Sequence, residues 1–301
     1  MAIANLLRSG AGKTQILLQL CCAVQLPPSL GGLSKTAVYI STEAPLSTPR
    51  LVQILESFRT RFAENLISTD ELSMDHVLSV TCGDLESQEH IAQFQLPIVV
   101  EKYNVGLIII DSVASNFRAE HEGRHNSEAQ SSKTAITPKK NIAALLAERG
   151  KQLVKLGQIL RNLARKYNLA VVVANQVSDK FESQNNAGAE QHDGGSEVDV
   201  MSFDHQARWF TGWGDDDAQA KNMKTPALGL VWTNCIAARF VILKEVGGGG
   251  NGHEEDAVWR RRIKVVFSPW AQGGRECGYV IEADGVKGVS NLDLEKEDPE
   301  G

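Results

Sequence analysis

Apolar residues along this chain either recur at the spacing of a helix or form short continuous runs typical of buried strands. Spacings of three and four residues predict helices over Thr14–Leu26, Pro49–Phe62, Ile91–Lys102 (interrupted by Pro97) and Gly150–Tyr167. Short, mostly apolar runs predict buried strands at Ala37–Ser41, His76–Thr81, Gly106–Ile110 and Leu169–Ala174. Strands that alternate with helices indicate an α/β fold with a mostly parallel central sheet flanked by helices.

The pattern changes toward the C-terminus. Strand-like runs without helical segments between them follow at Leu228–Val231, Ala237–Lys244, Arg262–Phe267 and Tyr279–Ala283. Antiparallel strands are therefore expected in this part of the chain. Two polar segments, 119–149 and 179–227, predict long loops, and the acidic residues 292–301 predict a disordered tail. The predicted organisation is one domain over residues 1–291, followed by that tail.

The charge balance and the cysteines narrow the classes of function. The chain has 31 Lys and Arg against 37 Asp and Glu, a net charge of −6 that excludes a generally basic nucleic-acid coat protein. Segment 179–227 contains ten acidic and four basic residues, so the rest of the chain is balanced. Five scattered cysteines without a Cys-x-x-Cys pair indicate neither a disulfide framework nor a cysteine zinc site. A membrane-spanning helix needs about 20 apolar residues, and no apolar run in this sequence is nearly that long.

A candidate phosphate-binding loop precedes the first predicted helix. The run Ser9-Gly10-Ala11-Gly12-Lys13-Thr14 carries the Gly-Lys-Thr end of the P-loop pattern G-x-x-x-x-G-K-[ST]. In such a loop, small residues let backbone N–H groups approach phosphates, and the helix N-terminus favours negative charge. Lys13 would reach the β- and γ-phosphates, and the Thr14 hydroxyl would bind Mg²⁺.

The match to this pattern is incomplete, and an alternative stays open. Leu7 stands where the pattern has its first glycine, and no strand of ordinary length is expected before the loop. The alternative is a glycine-rich turn that binds no ligand. The dinucleotide pattern G-x-G-x-x-G is set aside, because Gln15 stands where it requires the third glycine.

Three further polar residues follow predicted strands. Asp111 ends an apolar strand, where P-loop proteins place a Mg²⁺-binding acid; the alternative is a turn or helix cap. Glu43 is a candidate general base, or a solvated loop residue. Gln176 is a candidate γ-phosphate sensor, or a turn residue. Because ligands of parallel sheets bind at the carboxyl ends of the strands, these residues and Lys13 are expected to converge on one site.

These motifs resemble the RecA-type recombinase family, specifically the eukaryotic DNA-repair paralogues of the strand-exchange recombinase. The similar stretches keep the family's order along nearly the whole chain. They are Ser9–Gln15, Val38–Glu43, Leu107–Ala114, Ala174–Val177, Pro226–Asn234 with Arg239, Phe267–Pro269 and Ala283–Val286. The stretch Pro226–Asn234 is most similar to the mediator branch of the family. The resemblance implies a RecA-like P-loop ATPase core with ATP and Mg²⁺ as cofactors.

The resemblance also assigns roles to individual residues. It implies that Thr14 and Asp111 hold Mg²⁺, that Glu43 is the general base and that Gln176 senses the γ-phosphate. The loops after Val113 and after Gln176 correspond to the family's two DNA-facing loops. The implied nucleotide-binding residues are Ser9, Gly10, Ala11, Gly12, Lys13, Thr14 and Gln15.

The function implied by the resemblance is that of a nuclear mediator of homologous recombination. Such a protein assists the assembly of recombinase filaments on single-stranded DNA. Its implied partners are the recombinase and a related paralogue subunit, with which it would form a heterodimer. Phosphate contacts need Lys or Arg, so the acidic segment 179–227 predicts weak or partner-dependent DNA binding. Phe267 stands where the recombinase has an acid in its ATP cap, so at most a weak DNA-dependent ATPase is expected.

Two alternatives to this function stay open. One is a nucleotide-independent interaction scaffold with a degenerate P-loop, and the other is a RecA-like helicase motor. The family's N-terminal helical domain and the strand before the P-loop are not recognised in this sequence, and Leu7 and Arg8 replace the usual Gly-Glu. An N-terminally truncated chain is therefore expected.

Overall fold

The fold is built around a nine-stranded sheet, with a separate two-stranded sheet beside it. A computed structural model describes residues 3–7, 10–64, 71–119, 139–179, 224–226, 228–246 and 259–289. The strands are β1 (Ile3–Leu7), β2 (Thr36–Ser41), β3 (Val77–Thr81), β4 (Val105–Asp111), β5 (Ala170–Ala174), β6 (Val177–Asp179), β7 (Lys224–Pro226), β8 (Ala238–Val246), β9 (Trp259–Phe267), β10 (Glu276–Glu282) and β11 (Gly285–Val289).

The large sheet is parallel in one half and antiparallel in the other. Its strands lie in the order β11-β10-β9-β8-β1-β5-β4-β2-β3, and β6 pairs with β7 in the small sheet. Every neighbouring pair from β3 to β8 is parallel. The remaining pairs, from β8 to β11, are antiparallel. The predicted α/β class with antiparallel strands toward the C-terminus is confirmed.

Helices cover both faces of the parallel half. They are α1 (Lys13–Ala23), α2 (Thr48–Arg61), α3 (Leu85–His90), α4 (Leu96–Lys102), α5 (113–119), α6 (Lys139–Lys166) and α7 (Gly229–Thr233), with a π-helical segment (Ile91–Gln95) between α3 and α4. Among these described helices, none has the length and apolar character needed to cross a membrane.

Strand β4 divides the core into two layers. Ile108 and Ile110 point into a cluster that includes side chains of α3, α4 and α6, whereas Leu107 and Ile109 point into a cluster with α1 and α2. Successive residues of a strand face opposite sides of a sheet, so an all-apolar strand is what two covered faces require. The apolar run in the sequence therefore predicts the position of β4 correctly.

The expectation that no strand precedes the phosphate-binding loop is wrong. Strand β1 has five residues, an ordinary strand length, and lies between β5 and β8. Leu6 pairs with Ala174 on one side and with Phe240 on the other. A run this short is stabilised by two neighbouring strands rather than by its own pattern, which is why the sequence pattern alone does not indicate it.

Two further predictions near the polar segments are also wrong. Residues 139–149, assigned to a long loop, form the first turns of α6, because the helix-forming run after Asn141 outweighs the surrounding polar residues. The apolar run Leu228–Val231, predicted as a strand, enters helix α7 instead. So short a run has no periodicity that separates the two structures, and packing of the buried Trp232 decides the outcome.

Within the predicted loop 179–227, Lys224–Pro226 form β7 and pair with β6, so the loop prediction is wrong there. Most of the remaining polar residues and the acidic tail are not described by the structure. Residues 120–138, 180–223 and 290–301 lie outside the described residues, and so does Ser9.

Candidate functional site

The predicted phosphate-binding loop connects β1, in the middle of the sheet, to the start of α1. Gly10 has φ 69° and Gly12 has φ 103°, values in the left-handed region that glycine adopts without steric cost. Between them Ala11 is fully buried. Helix α1 begins at Lys13, directly after the second glycine. The two glycines thus form the tight turn that directs the chain from a central strand into a helix.

Lys13 lies close to two carboxylates of the site. Burial lowers the pKa of its ammonium group, and the nearby negative charges of Asp111 and Glu43 oppose that shift. Desolvation of a cation without full compensation favours the binding of an anion beside it. Lys13 thus lies at the start of α1 near both carboxylates, and its role as a phosphate ligand stays a prediction.

Asp111 receives two hydroxyl groups on the same oxygen. Thr14 Oγ1 donates to Asp111 Oδ2 at 2.7 Å, and the Tyr39 hydroxyl donates to it at 2.8 Å. The sequence predicts the pairing of Thr14 with Asp111 but does not indicate Tyr39. The available signals are that Tyr39 lies within the stretch Val38–Glu43 and on β2, two residues before that strand ends beside Asp111. Burial and the Asp111 carboxylate raise the pKa of Tyr39, so its hydroxyl remains a donor.

Glu43 is held at the ends of two other strands. Its Oε1 accepts hydrogen bonds from Ser112 Oγ at 2.9 Å and from Gln176 Nε2. Ser112 is fixed in turn, since its backbone N–H donates to Thr42 Oγ1 at 3.0 Å and its carbonyl accepts from the same hydroxyl at 2.6 Å. The candidate general base and the candidate sensor are therefore in direct contact.

Gln15 faces a different direction from its neighbours in the loop. Its Oε1 accepts a hydrogen bond from Arg50 Nε at 2.7 Å. The same guanidinium donates to the carbonyls of Glu282 and Ala283, each at 2.6 Å. Gln15 thus belongs to a contact between α1, α2 and the turn after β10.

The structure thus brings together the side chains that the sequence predicts to converge. Lys13, Thr14, Asp111, Glu43 and Gln176 meet at the carboxyl ends of β1, β2, β4 and β5. A carboxylate and a hydroxyl are the hard oxygen ligands that Mg²⁺ prefers, and a lysine beside a helix N-terminus suits a phosphate. The donor set fits a nucleotide with Mg²⁺, and the role of each residue stays a prediction.

Comparison with known proteins identifies relatives of this chain. The profile of the Rad51 family matches residues 2–228. DNA repair protein rhp57 of Schizosaccharomyces pombe is 43% identical over 263 residues, which are 87% of this chain and 66% of that protein. DNA repair protein RAD57 of Saccharomyces cerevisiae is 34% identical over 207 residues, 68% of this chain and 38% of that protein.

A more distant relative covers nearly the whole chain. DNA repair protein XRCC3 of Bos taurus is 28% identical over 289 residues, which are 94% of this chain and 67% of that protein. The chain spans less than two thirds of the length of both yeast relatives.

Proposed function

Because the chain belongs to the Rad51 family, we propose that it is an ATP-binding DNA-repair protein of homologous recombination. In this proposal it is a mediator that assists assembly of recombinase filaments on single-stranded DNA. The observation that carries the nucleotide part is the convergence of Lys13, Thr14 and Asp111 at the start of α1. That arrangement matches the chemistry of a nucleoside triphosphate with Mg²⁺.

The residues of the site divide the work of binding. The N–H groups of Gly10, Ala11 and Gly12 and the ammonium of Lys13 would bind the phosphates, with Ser9 and the backbone of Gln15 completing the loop. Thr14 and Asp111, already joined by a 2.7 Å hydrogen bond, would exchange that bond for a shared Mg²⁺. When bound, the metal neutralises phosphate charge.

Hydrolysis is proposed to be weak. Glu43 Oε1 accepts hydrogen bonds from Ser112 and Gln176, so a general-base role would fall to Oε2 of that carboxylate. At the position of the recombinase's ATP-cap acid, the Phe267 ring stacks under the guanidinium of Arg239, 5.6 Å from its centroid. ATP then acts chiefly as an assembly signal, which suits a mediator better than a helicase motor.

The remaining parts of the proposal rest on the family and on charge. Relatives of this chain are named DNA repair proteins, which supports a nuclear role with the recombinase and a related paralogue subunit as partners. Segment 179–227 has ten acidic and four basic residues, which favours DNA contact through a partner over strong independent binding.

A filament-assembly assay tests the mediator role. Recombinase, MgATP and single-stranded DNA coated with a single-strand-binding protein are mixed with or without the purified chain, and nuclease protection of the DNA is measured. We expect the wild-type chain to raise the protected fraction and Lys13→Ala to lose most of that effect. Equal stimulation by both proteins would support the nucleotide-independent scaffold instead. No stimulation by the wild-type chain would contradict the mediator role.

Removal of the metal tests the assignment of Asp111. Because Asp111 and Thr14 supply the oxygen ligands, EDTA is expected to weaken ATP binding to the wild-type chain on the order of tenfold, about 1.4 kcal/mol. In Asp111→Asn the same treatment should change the affinity little, since the charged ligand is already gone. Isothermal titration calorimetry with and without Mg²⁺ measures both affinities.

The matched control for this experiment is Asp75→Asn, in the exposed turn before β3. It should keep the full wild-type response to EDTA. An unchanged metal dependence in Asp111→Asn would show that another group holds the metal.

A further inference from the structure

The hairpin of β10 and β11 contacts the phosphate-binding loop, although two strands separate β10 from β1 in the sheet. The Tyr279 hydroxyl donates a hydrogen bond to the Ala11 carbonyl at 2.7 Å. Ile281, on the same face of β10, lies so close to Gly12 that a Cβ atom there would be 2.5 Å from Ile281 Cδ1. One face of the loop is therefore covered by the hairpin.

The hydrogen bond to Ala11 fixes more than a carbonyl. The C=O of Ala11 and the N–H of Gly12 belong to one planar peptide group, and in a trans peptide they point in opposite directions. With its oxygen directed at Tyr279, this peptide directs the Gly12 N–H away from the hairpin. That N–H is one of the groups that a P-loop uses to bind phosphate.

Tyr279 is well suited to hold this peptide. Its side chain is buried, with 4% of its surface exposed. Burial raises the pKa of Tyr279 to about 12, so the phenol stays protonated and can only donate to the carbonyl. Rotation of the Ala11–Gly12 peptide would leave both the Tyr279 hydroxyl and the Ala11 carbonyl buried without this hydrogen bond. The energetic cost of that loss opposes the rotation.

The hairpin itself is fastened to the helices beside the loop. Gln19 of α1 donates to the Val286 carbonyl at 3.0 Å and accepts from the Val286 N–H at 2.5 Å. Arg50 of α2 holds the carbonyls of Glu282 and Ala283 at the turn. These backbone contacts fix the hairpin relative to α1, and so fix where the Tyr279 hydroxyl lies.

We propose that Tyr279 is a positioning residue of the nucleotide site, which orients the Gly12 N–H toward the phosphates by holding the Ala11 carbonyl. This inference rests on the proposed binding of ATP. Tyr279 itself does not touch the nucleotide, and its effect passes through one peptide group. Loss of the hydroxyl should therefore weaken phosphate binding without unfolding the loop.

Tyr279→Phe tests this inference, because it removes the hydroxyl and keeps the ring that packs in the core. A single hydrogen bond contributes enough to change an equilibrium by about three- to tenfold, and we expect that loss in MgATP affinity by calorimetry. Tyr167→Phe is the matched control, since it also removes a hydroxyl that donates a hydrogen bond, at 2.6 Å to Glu101, far from the loop. The MgATP affinity of Tyr167→Phe should equal that of the wild type.

A spectroscopic readout separates orientation from general loosening. Labelling alanine with ¹³C at the carbonyl and glycine with ¹⁵N selects Ala-Gly peptides, of which the sequence has two, Ala11–Gly12 and Ala187–Gly188. Gly188→Ala removes the second signal and so assigns the first. MgATP should shift the Gly12 signal strongly in the wild type and in Tyr167→Phe, and clearly less in Tyr279→Phe.

The outcomes distinguish this inference from the proposed function. If the wild-type chain binds MgATP and Tyr279→Phe gives the same affinity and the same Gly12 shift, the positioning role is overturned while ATP binding stands. If the folded wild-type chain binds no MgATP, the proposed function fails and this inference fails with it. Weaker binding with a reduced Gly12 shift supports both.

Discussion

Replacing Lys13 by Ala is expected to lower the affinity for MgATP by at least about 100-fold. Lys13 would contact two phosphates, and each charge-assisted hydrogen bond contributes about 1.5–3 kcal/mol. The fold should tolerate the change, because the burial that lowers the pKa of Lys13 means that its charge is unfavourable in the ligand-free protein. Calorimetric titration with MgATP, together with thermal unfolding with and without the ligand, measures both effects.

The lowered pKa of Lys13 also gives this prediction a pH dependence. The folded state releases the proton of Lys13 at a lower pH than the unfolded chain does, so the charged form that binds phosphate is complete below the folded pKa and is lost above it. As the pH rises, the MgATP affinity of the wild type should therefore begin to fall at a lower pH than it would if Lys13 had the pKa of an ordinary lysine. The ligand-free protein should gain stability over the same range, because there the unfolded chain binds more protons.

Lys151→Ala is the control for charge removal, since that side chain is 77% exposed on α6. It should bind MgATP as the wild type does. Full affinity in Lys13→Ala would contradict the assignment of the loop as a phosphate site and would favour the scaffold.

Replacing Trp232 by Ala is expected to lower the free energy of unfolding by about 3–5 kcal/mol, as removal of a large buried aromatic side chain does. Trp232 lies on α7 and is fully buried, in the cluster that also contains Leu156 and Leu160 of α6. Removal of the indole should leave a cavity that the neighbouring side chains fill only in part. Urea unfolding followed by circular dichroism measures the loss.

Trp270 provides a control with the same chemistry at the surface. Its side chain is 63% exposed, in the turn between β9 and β10. Trp270→Ala should change the free energy of unfolding by less than about 0.5 kcal/mol. Similar losses in the two variants would mean that burial of Trp232 does not stabilise the fold as proposed.

Much of the fold follows from local patterns, and the exceptions have a common cause. The apolar faces of α1 and α2 are evident from periodicity, and β4 is evident from its continuous apolar run, because each element is long enough to show its pattern. Strand β1 and helix α7 are too short for that. Their structure is decided by neighbours distant in the sequence, such as Phe240 beside Leu6 and the residues of α6 around Trp232.

The candidate site shows the same division. The convergence of Glu43, Asp111 and Gln176 can be predicted because the ends of parallel strands meet at one edge of a sheet. The contacts of Tyr39 and Tyr279 cannot be predicted in this way: Tyr39 lies within the similar stretch Val38–Glu43, but on the strand rather than at its end, and no motif surrounds Tyr279. Tyr279 acts on a residue 268 positions earlier in the chain, and only the folded hairpin places it there.

The hydrogen bonds between the C-terminal hairpin and helix α1 determine how short a fragment could be and still keep the phosphate-binding loop in this form. A chain cut before β10 would remove Tyr279 and Ile281, along with both backbone partners of Gln19. The turn carbonyls that Arg50 holds would be lost with them. Residues near both ends of the described chain thus contact each other directly, and we expect a fragment without the hairpin to hold the phosphate-binding loop less firmly.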